Sequence, residues 1–367
     1  MSGRPLPRVF SHLGVEKDPA VDDALREALP HLGEEAREAA LKLICDRGRP
    51  ATLAALLVSC GSFEPALQEA MYRRFDDFHP GLRTALESEK FEDRAAVISV
   101  VVAVKDYKSA HSLGDALRSH CARTRELAAD AIRQLTEAHI ARREGGISPA
   151  DAVDFDQCAQ RLGEVLQTII KNWETHLHAP VLEAALWMID SVEEVLAEKL
   201  SHVPNRIGHA VQGILNRASD PRLAAFVVRA LSHTELRAAA AKAISQASDA
   251  AFIAALASEM WLLADTRIEQ GFHGVHDTAG FEQWLVSNHP SRPEATAGAV
   301  RMICCSGGPR DGAIARLGAI AEQGSEQTRR AVLWQLVADE SSHSTQALSL
   351  IASRANDPRS VIAVREC

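Results

Sequence analysis

EEAREAALKLI from Glu34, FEDRAAVISVV from Phe91, RTRELAADAI from Arg123, APVLEAALWMI from Ala179, TELRAAAAKAI from Thr234 and EQTRRAVLWQL from Glu326 are variations on one phrase. DPRSVIAV from Asp357 repeats it once more. A charged or helix-starting residue leads, and an Ala-rich apolar run follows. Apolar residues fall at helical spacing, as in Ala36, Ala40, Leu43 and Ile44. A short helix of this kind has too little apolar surface to build a private core. It must stack on its neighbours, so the sequence predicts an array of helices repeated along the chain.

Matched positions give the pitch. Leu41, Met71, Val97 and Ala129 lie 30, 26 and 32 residues apart, and Val211 to Ala240 is 29. Val300, Val332 and Val364 are 32 apart, and the gaps from Ala129 to Leu186 and from Ala240 to Val300 are about two units. The most β-branched run, Ala95 to Val104, sits inside the phrase and reads as a buried helix, too short to span a bilayer.

Composition narrows the classes. The 367 residues are 46% hydrophobic but only 5% aromatic, so Ala and Leu carry the packing. Net charge is −9, and residues 142–200 supply most of it with 5 Lys+Arg against 11 Asp+Glu. An acidic chain without a basic block is poorly suited to nucleic acid, whose binding rests on phosphate neutralisation. An acidic face suits a basic protein partner. The seven cysteines are odd in number and lack a CxxC spacing, which fits free thiols in a reducing cytoplasmic compartment.

Punctuation divides the chain. Residues 1–18 read as a flexible leader. Asp18-Pro19 is an N-cap followed by proline at the first helical position. A single solenoid then covers 19–367: an arm over 19–141, an acidic pair of long helices over 142–200, and a second arm over 201–367. Phe155, Cys158, Leu162, Val165, Ile169 and Trp173 mark the buried stripe of the first long helix, and Pro180 opens the second, through about Leu200. Residues 265–293 break the rhythm with Gly271, Gly274 and Gly280, three His, two Phe and Trp284, and read as an insertion. Repeat proteins tend to bind through such insertions.

Asp220-Pro221-Arg222-Leu223-Ala224-Ala225 and Asp357-Pro358-Arg359-Ser360-Val361-Ile362-Ala363 partly match the Asp-Pro-x-Val-Arg-x-x-Ala phrase of HEAT repeats. Arg94, Arg125, Arg237 and Arg329 fall in the equivalent region of other repeats. From about residue 20 onward the chain resembles a HEAT-like, armadillo-type helical repeat protein. The resemblance implies an all-α fold, an α-α superhelix with irregular repeats of roughly 30 residues whose second helices line a concave surface. It implies little about function, because the fold hosts scaffolds, transport factors and a few enzymes.

The enzymes of that class leave few traces. No His is followed by Glu, which argues against the di-iron motif of deoxyhypusine hydroxylase. Acidic balance argues against an alkylpurine DNA glycosylase groove, although Trp173, Trp187 and Asp190 imitate its cluster. A chromophore lyase is neither supported nor excluded. His176 with His178, and His273 with His276 and Asp277 (His289 nearby), fall short of a metal site, so no metal or cofactor is expected.

The expectation is therefore a non-catalytic protein-interaction scaffold. Its partner-binding candidates are Phe272, His273, His276, Phe281 and Trp284 in the insertion, and Arg237, Lys242, Arg329, Arg330 and Gln335 on polar helix edges. The alternative is an enzyme or a small-ligand or metal binder using the His- and aromatic-rich insertion. The C-terminal helix from Asp357 is short, which predicts a weakly capped end and self-association through it.

Overall fold

The computed structural model describes residues 6–148, 151–202, 205–260, 265–287, 293–307 and 310–338. Among them the chain is all-α, a helical-repeat stack without strands. Two compact units meet in sequence between Val192 and Glu193. The acidic 142–200 stretch thus belongs mostly to the first unit. The C-terminal helix, Cys367 and His289 lie outside the described residues.

The first unit runs α1 (Leu6–Val15), α2 (Pro19–Ala28), α3 (Glu34–Arg47), α4 (Pro50–Ser59), α5 (Pro65–Arg73), α6 (His79–Leu86), α7 (Phe91–Val104), α8 (Ala110–Ala116), α9 (Ala122–Glu144), α10 (Ala152–Lys171), α11 (Trp173–His176) and α12 (Ala179–Trp187). Successive contacts sort most of these into two rows. One is α2, α4, α6, α8 and α10, and the other includes α1, α3 and α5, then α7 and α9. α13 (Ile189–Leu200) carries the boundary. In the second unit follow α14 (Arg206–Leu215), α15 (Ala224–Ala230), α16 (Arg237–Ser245), α17 (Ala250–Ser258), α18 (Thr266–Phe272), α19 (Ala279–Val286), α20 (Pro293–Cys305), α21 (Arg310–Gln323) and α22 (Glu326–Ala338). There α15, α17, α20 and α22 form one row.

The recurring phrase explains how each turn closes. Arg37 Nη2 donates to Leu32 O at 2.9 Å, and Arg125 Nη1 to Ser119 O at 2.8 Å. Arg94 donates to Ser88 O, Arg237 Nε to Leu231 O at 3.0 Å and Arg329 Nε to Ala321 O at 3.2 Å. Each arginine stands in the first turn of its helix and reaches back five to eight residues. Its target is a carbonyl at or just beyond the end of the preceding helix, where the last C=O groups have no intrahelical partner. A cation there also meets the negative end of the helix dipole. The Ala-rich remainder of each phrase forms the core: Ala40, Leu41, Val97, Val101, Ala128, Ile132, Ala240 and Ile244 are buried.

Three expectations change. Residues 6–15 are a helix rather than a loose leader. Arg47 holds it by donating to Leu13 O at 3.0 Å while gripping buried Asp22 in α2, Nη2 to Oδ2 at 3.0 Å. The helix from Pro180 breaks at Met188 (φ −110°, ψ 46°), which separates α12 from α13. Finally, residues 265–287 are not an exposed insertion. They supply α18 and α19, whose Phe272, Phe281 and Trp284 are buried.

Glycines in that region mark contact. A Cβ on Gly298 of α20 would lie 1.8 Å from Ala257 O of α17. Gly213 of α14 has nothing within 4 Å of the same position. We expect Gly298→Ala to force α17 and α20 apart and to cost about 3 kcal/mol. Gly213→Ala should add about 0.5–1 kcal/mol through helix propensity. Denaturant midpoints of the two variants check the opposite signs.

Candidate binding groove

α6 and α8 are short, at 8 and 7 residues, while α9 and α10 run to 23 and 20. Where the short pair lies beside the long α10, the row leaves space uncovered. Three adjoining cavities of about 610, 540 and 280 Å³ open there, and His111 borders all of them. The first two also share Arg83 and Ser112. The second and third share Glu164 and Val165. They form one groove crossing α6, α8 and α10. Leu82, Leu117, Val165 and Ile169 are buried beneath it, and its rim is polar.

Local bonding fixes the walls. α7 ends at Lys105 in a left-handed conformation (φ 56°), which delivers Asp106 to the start of the next turn. Asp106 is buried, accepts Lys108 N–H at 3.2 Å, and receives His79 Nε2 at 2.9 Å and the Ser109 hydroxyl. Burial pushes its carboxyl up, but the bonds from His79 and Ser109 outweigh burial and hold it low. The bond to Asp106 raises His79 in return, against the effect of burial. Next to Asp106 in the chain, Tyr107 meets buried His139 of α9 edge-on at 5.7 Å, and His139 stacks on Phe155 of α10 at 4.2 Å. That stack joins α9 and α10 to the turn before α8.

Asp76, His79 and Asp106 place one potential ligand atom each within 4.8 Å of one another. The Lys108 ammonium already pairs with Asp76, and Asp106 is committed to three donors. These bonds complete the cluster internally. Nor does it activate a nucleophile: the Ser109 hydroxyl donates to Asp106, whose carboxyl is held low and is therefore a weak base. At the groove's end, Cys121 immediately precedes α9. Hydrogen bonds from the Thr124 hydroxyl and amide lower its thiol to about 7.

The structure disperses the residues singled out in the sequence. Phe272, Phe281 and Trp284 are core residues. His273 and His276 are exposed on the turn after α18, which Gly307 pins through its N–H to Val275 O at 2.8 Å. Arg237 and Arg329 close turns, and Arg330 pairs with Glu326 at 3.0 Å. Lys242 is exposed and Gln335 half-buried. Trp173 and Trp187 are buried, as apolar stripes require. The groove lies on the alternate set of helices, which lack the phrase. Its signal in the sequence was a polar stripe, Lys108, His111, Asp115 and Arg118, at helical spacing.

No protein-family model and no curated protein matches the chain. Among solved structures, a chain of the Kap95p–RanGDP complex is similar at 10% identity and TM-score 0.32, covering 98% of this chain and 52% of that one. This chain thus spans about half the length of that match. The SYS-1/POP-1 complex is similar at 12% identity and TM-score 0.28, covering 97% and 76% of the two chains. SYS-1 alone gives 12% and 0.29, covering 96% and 75%. Among the described residues no helix is long and apolar enough to cross a membrane.

His139 supplies a pH test. Burial, then Arg143 and Arg142, lower it from 6.5 to about 4. Between those values the unfolded chain binds the proton and the folded chain does not, so stability falls as pH drops from about 6.5 towards 4. Buried His176 and half-buried His178 and His233 are lowered in the same sense, whereas the raised His79 acts in the opposite one. His139→Phe should keep the stack on Phe155 and flatten this acid limb. Urea midpoints measured from pH 7 to pH 4 check it.

Proposed function

We propose that the chain is a non-catalytic protein-interaction scaffold that seats an extended segment of a partner protein in the groove of its first unit. The observation that carries this reading is the continuity of three cavities around His111, with an apolar floor and a polar rim. An extended segment sends alternate side chains to opposite sides, so it can fill such a floor while bonding to the rim. The described cysteines are free, which suits the cytoplasmic placement we favour. The exposed carboxylates Asp154, Asp156 and Glu174 keep a basic partner at a second surface within the proposal.

Selection of a random peptide library on the full chain tests the reading. Exposed His111 offers a way to block the groove without disturbing the core. Peptides that enrich on the wild type and lose binding to His111→Trp, at unchanged helical circular dichroism, are the expected result. Peptides indifferent to His111→Trp would overturn it.

A further inference from the structure

The charge of the groove runs against the charge of the chain. Five basic side chains line it: Arg83, Arg94, Lys108, Arg118 and Arg161. Three acidic ones, Glu87, Asp115 and Glu164, stand beside them. Lys108 is already paired with Asp76, so four arginines face three carboxylates, and the lining keeps a small positive excess in a protein of net charge −9.

The acidic rim groups leave arginines available. Glu87 pairs with Arg83 at 3.1 Å, and Asp115 with Arg118. Each pair joins residues three or four apart at the C-terminal end of a short helix, and Arg83 and Arg118 are 84% and 57% exposed. Exposed pairs of this kind contribute little, so a competing carboxylate exchanges for them at little cost. Hydroxyl and imidazole donors continue the rim at Ser112 and His111. Arginine forks bind carboxylates through two parallel bonds, which adds orientation to charge.

Resting on the groove as the binding site, we infer that its occupant is an acidic segment of a partner protein: an extended peptide whose Asp or Glu side chains engage Arg83 and Arg118 on one side and Arg161 on the other. Charge complementarity selects this occupant. The field of the groove also speeds its capture at low salt.

The test uses the full chain and three labelled synthetic peptides of alternating sequence: Glu with Ala, Gln with Ala, and Lys with Ala. Fluorescence anisotropy reads affinity at low salt and at ~0.15 M. The Glu peptide should bind best and weaken about tenfold with added salt. Charge reversal in Arg83→Glu with Arg118→Glu should weaken it at least about tenfold again. Glu87→Gln should tighten it several-fold by freeing Arg83. Equal binding of the Gln or Lys peptide in the groove, or indifference of the Glu peptide to the double reversal, would overturn the inference. The blocked variant separates the two levels. Library-selected peptides that are neutral or basic, yet lost with His111→Trp, would sink the acidic occupant and leave the groove standing. Peptides unaffected by His111→Trp would sink both.

Discussion

A guanidinium in the first turn of one helix, bonded to an orphan carbonyl at the end of the one before, is the contact on which the rest of this structure depends. Stacked short helices have a standing problem: every turn leaves carbonyls without partners, and burying them unpaired is costly. Arg37, Arg94, Arg125, Arg237 and Arg329 solve it five times over, in both units. Arginine suits the task because it stays charged and offers several donors in a rigid fork. Arg94 shows the advantage. While one nitrogen serves Ser88 O, its Nε donates at 2.9 Å to the hydroxyl of buried Thr124, in the next phrase-bearing helix. One side chain thus closes its own turn and sets the spacing to the next repeat.

The groove follows from that arrangement. With α7 and α9 held by their clamps, α6 and α8, which precede them in turn, need only be long enough to cover the core. They stop at 8 and 7 residues and leave room beside α10. The Tyr107–His139–Phe155 stack then ties the turn before α8 to α9 and α10. Polar groups on the rim are bonded mainly to near neighbours, such as His111 to Lys108 O at 2.7 Å. A surface so arranged is ready to exchange weak local contacts for a partner's.

Much of the architecture was legible in the sequence because the phrase carries both period and composition. The stripe Phe155, Leu162, Val165, Ile169 and Trp173 is buried as read, with Cys158 at its margin. Two physical effects hid the rest. Glycine signals either looseness or close approach, and in residues 265–298 it signals approach: Gly271, Gly280 and Gly298 each sit where a Cβ would collide with a backbone carbonyl. The aromatics beside them accordingly pack inward. Exposed-looking arginines misled for a related reason, since a charge needed at a turn and a charge offered to a partner have the same spelling. The groove itself arises from unequal helix lengths across three elements, which no single segment reveals.

Hydrogen–deuterium exchange on Arg94→Lys tests the clamp most directly. Lysine keeps the charge but lacks the fork that reaches Ser88 O and Thr124 together. The account predicts faster exchange in the turn around Ser88, in α8 and in the first turn of α9, with the helical content retained. Exchange unchanged through residues 86–125 would contradict it, because the turn and the groove wall would then hold without the bond said to fix them.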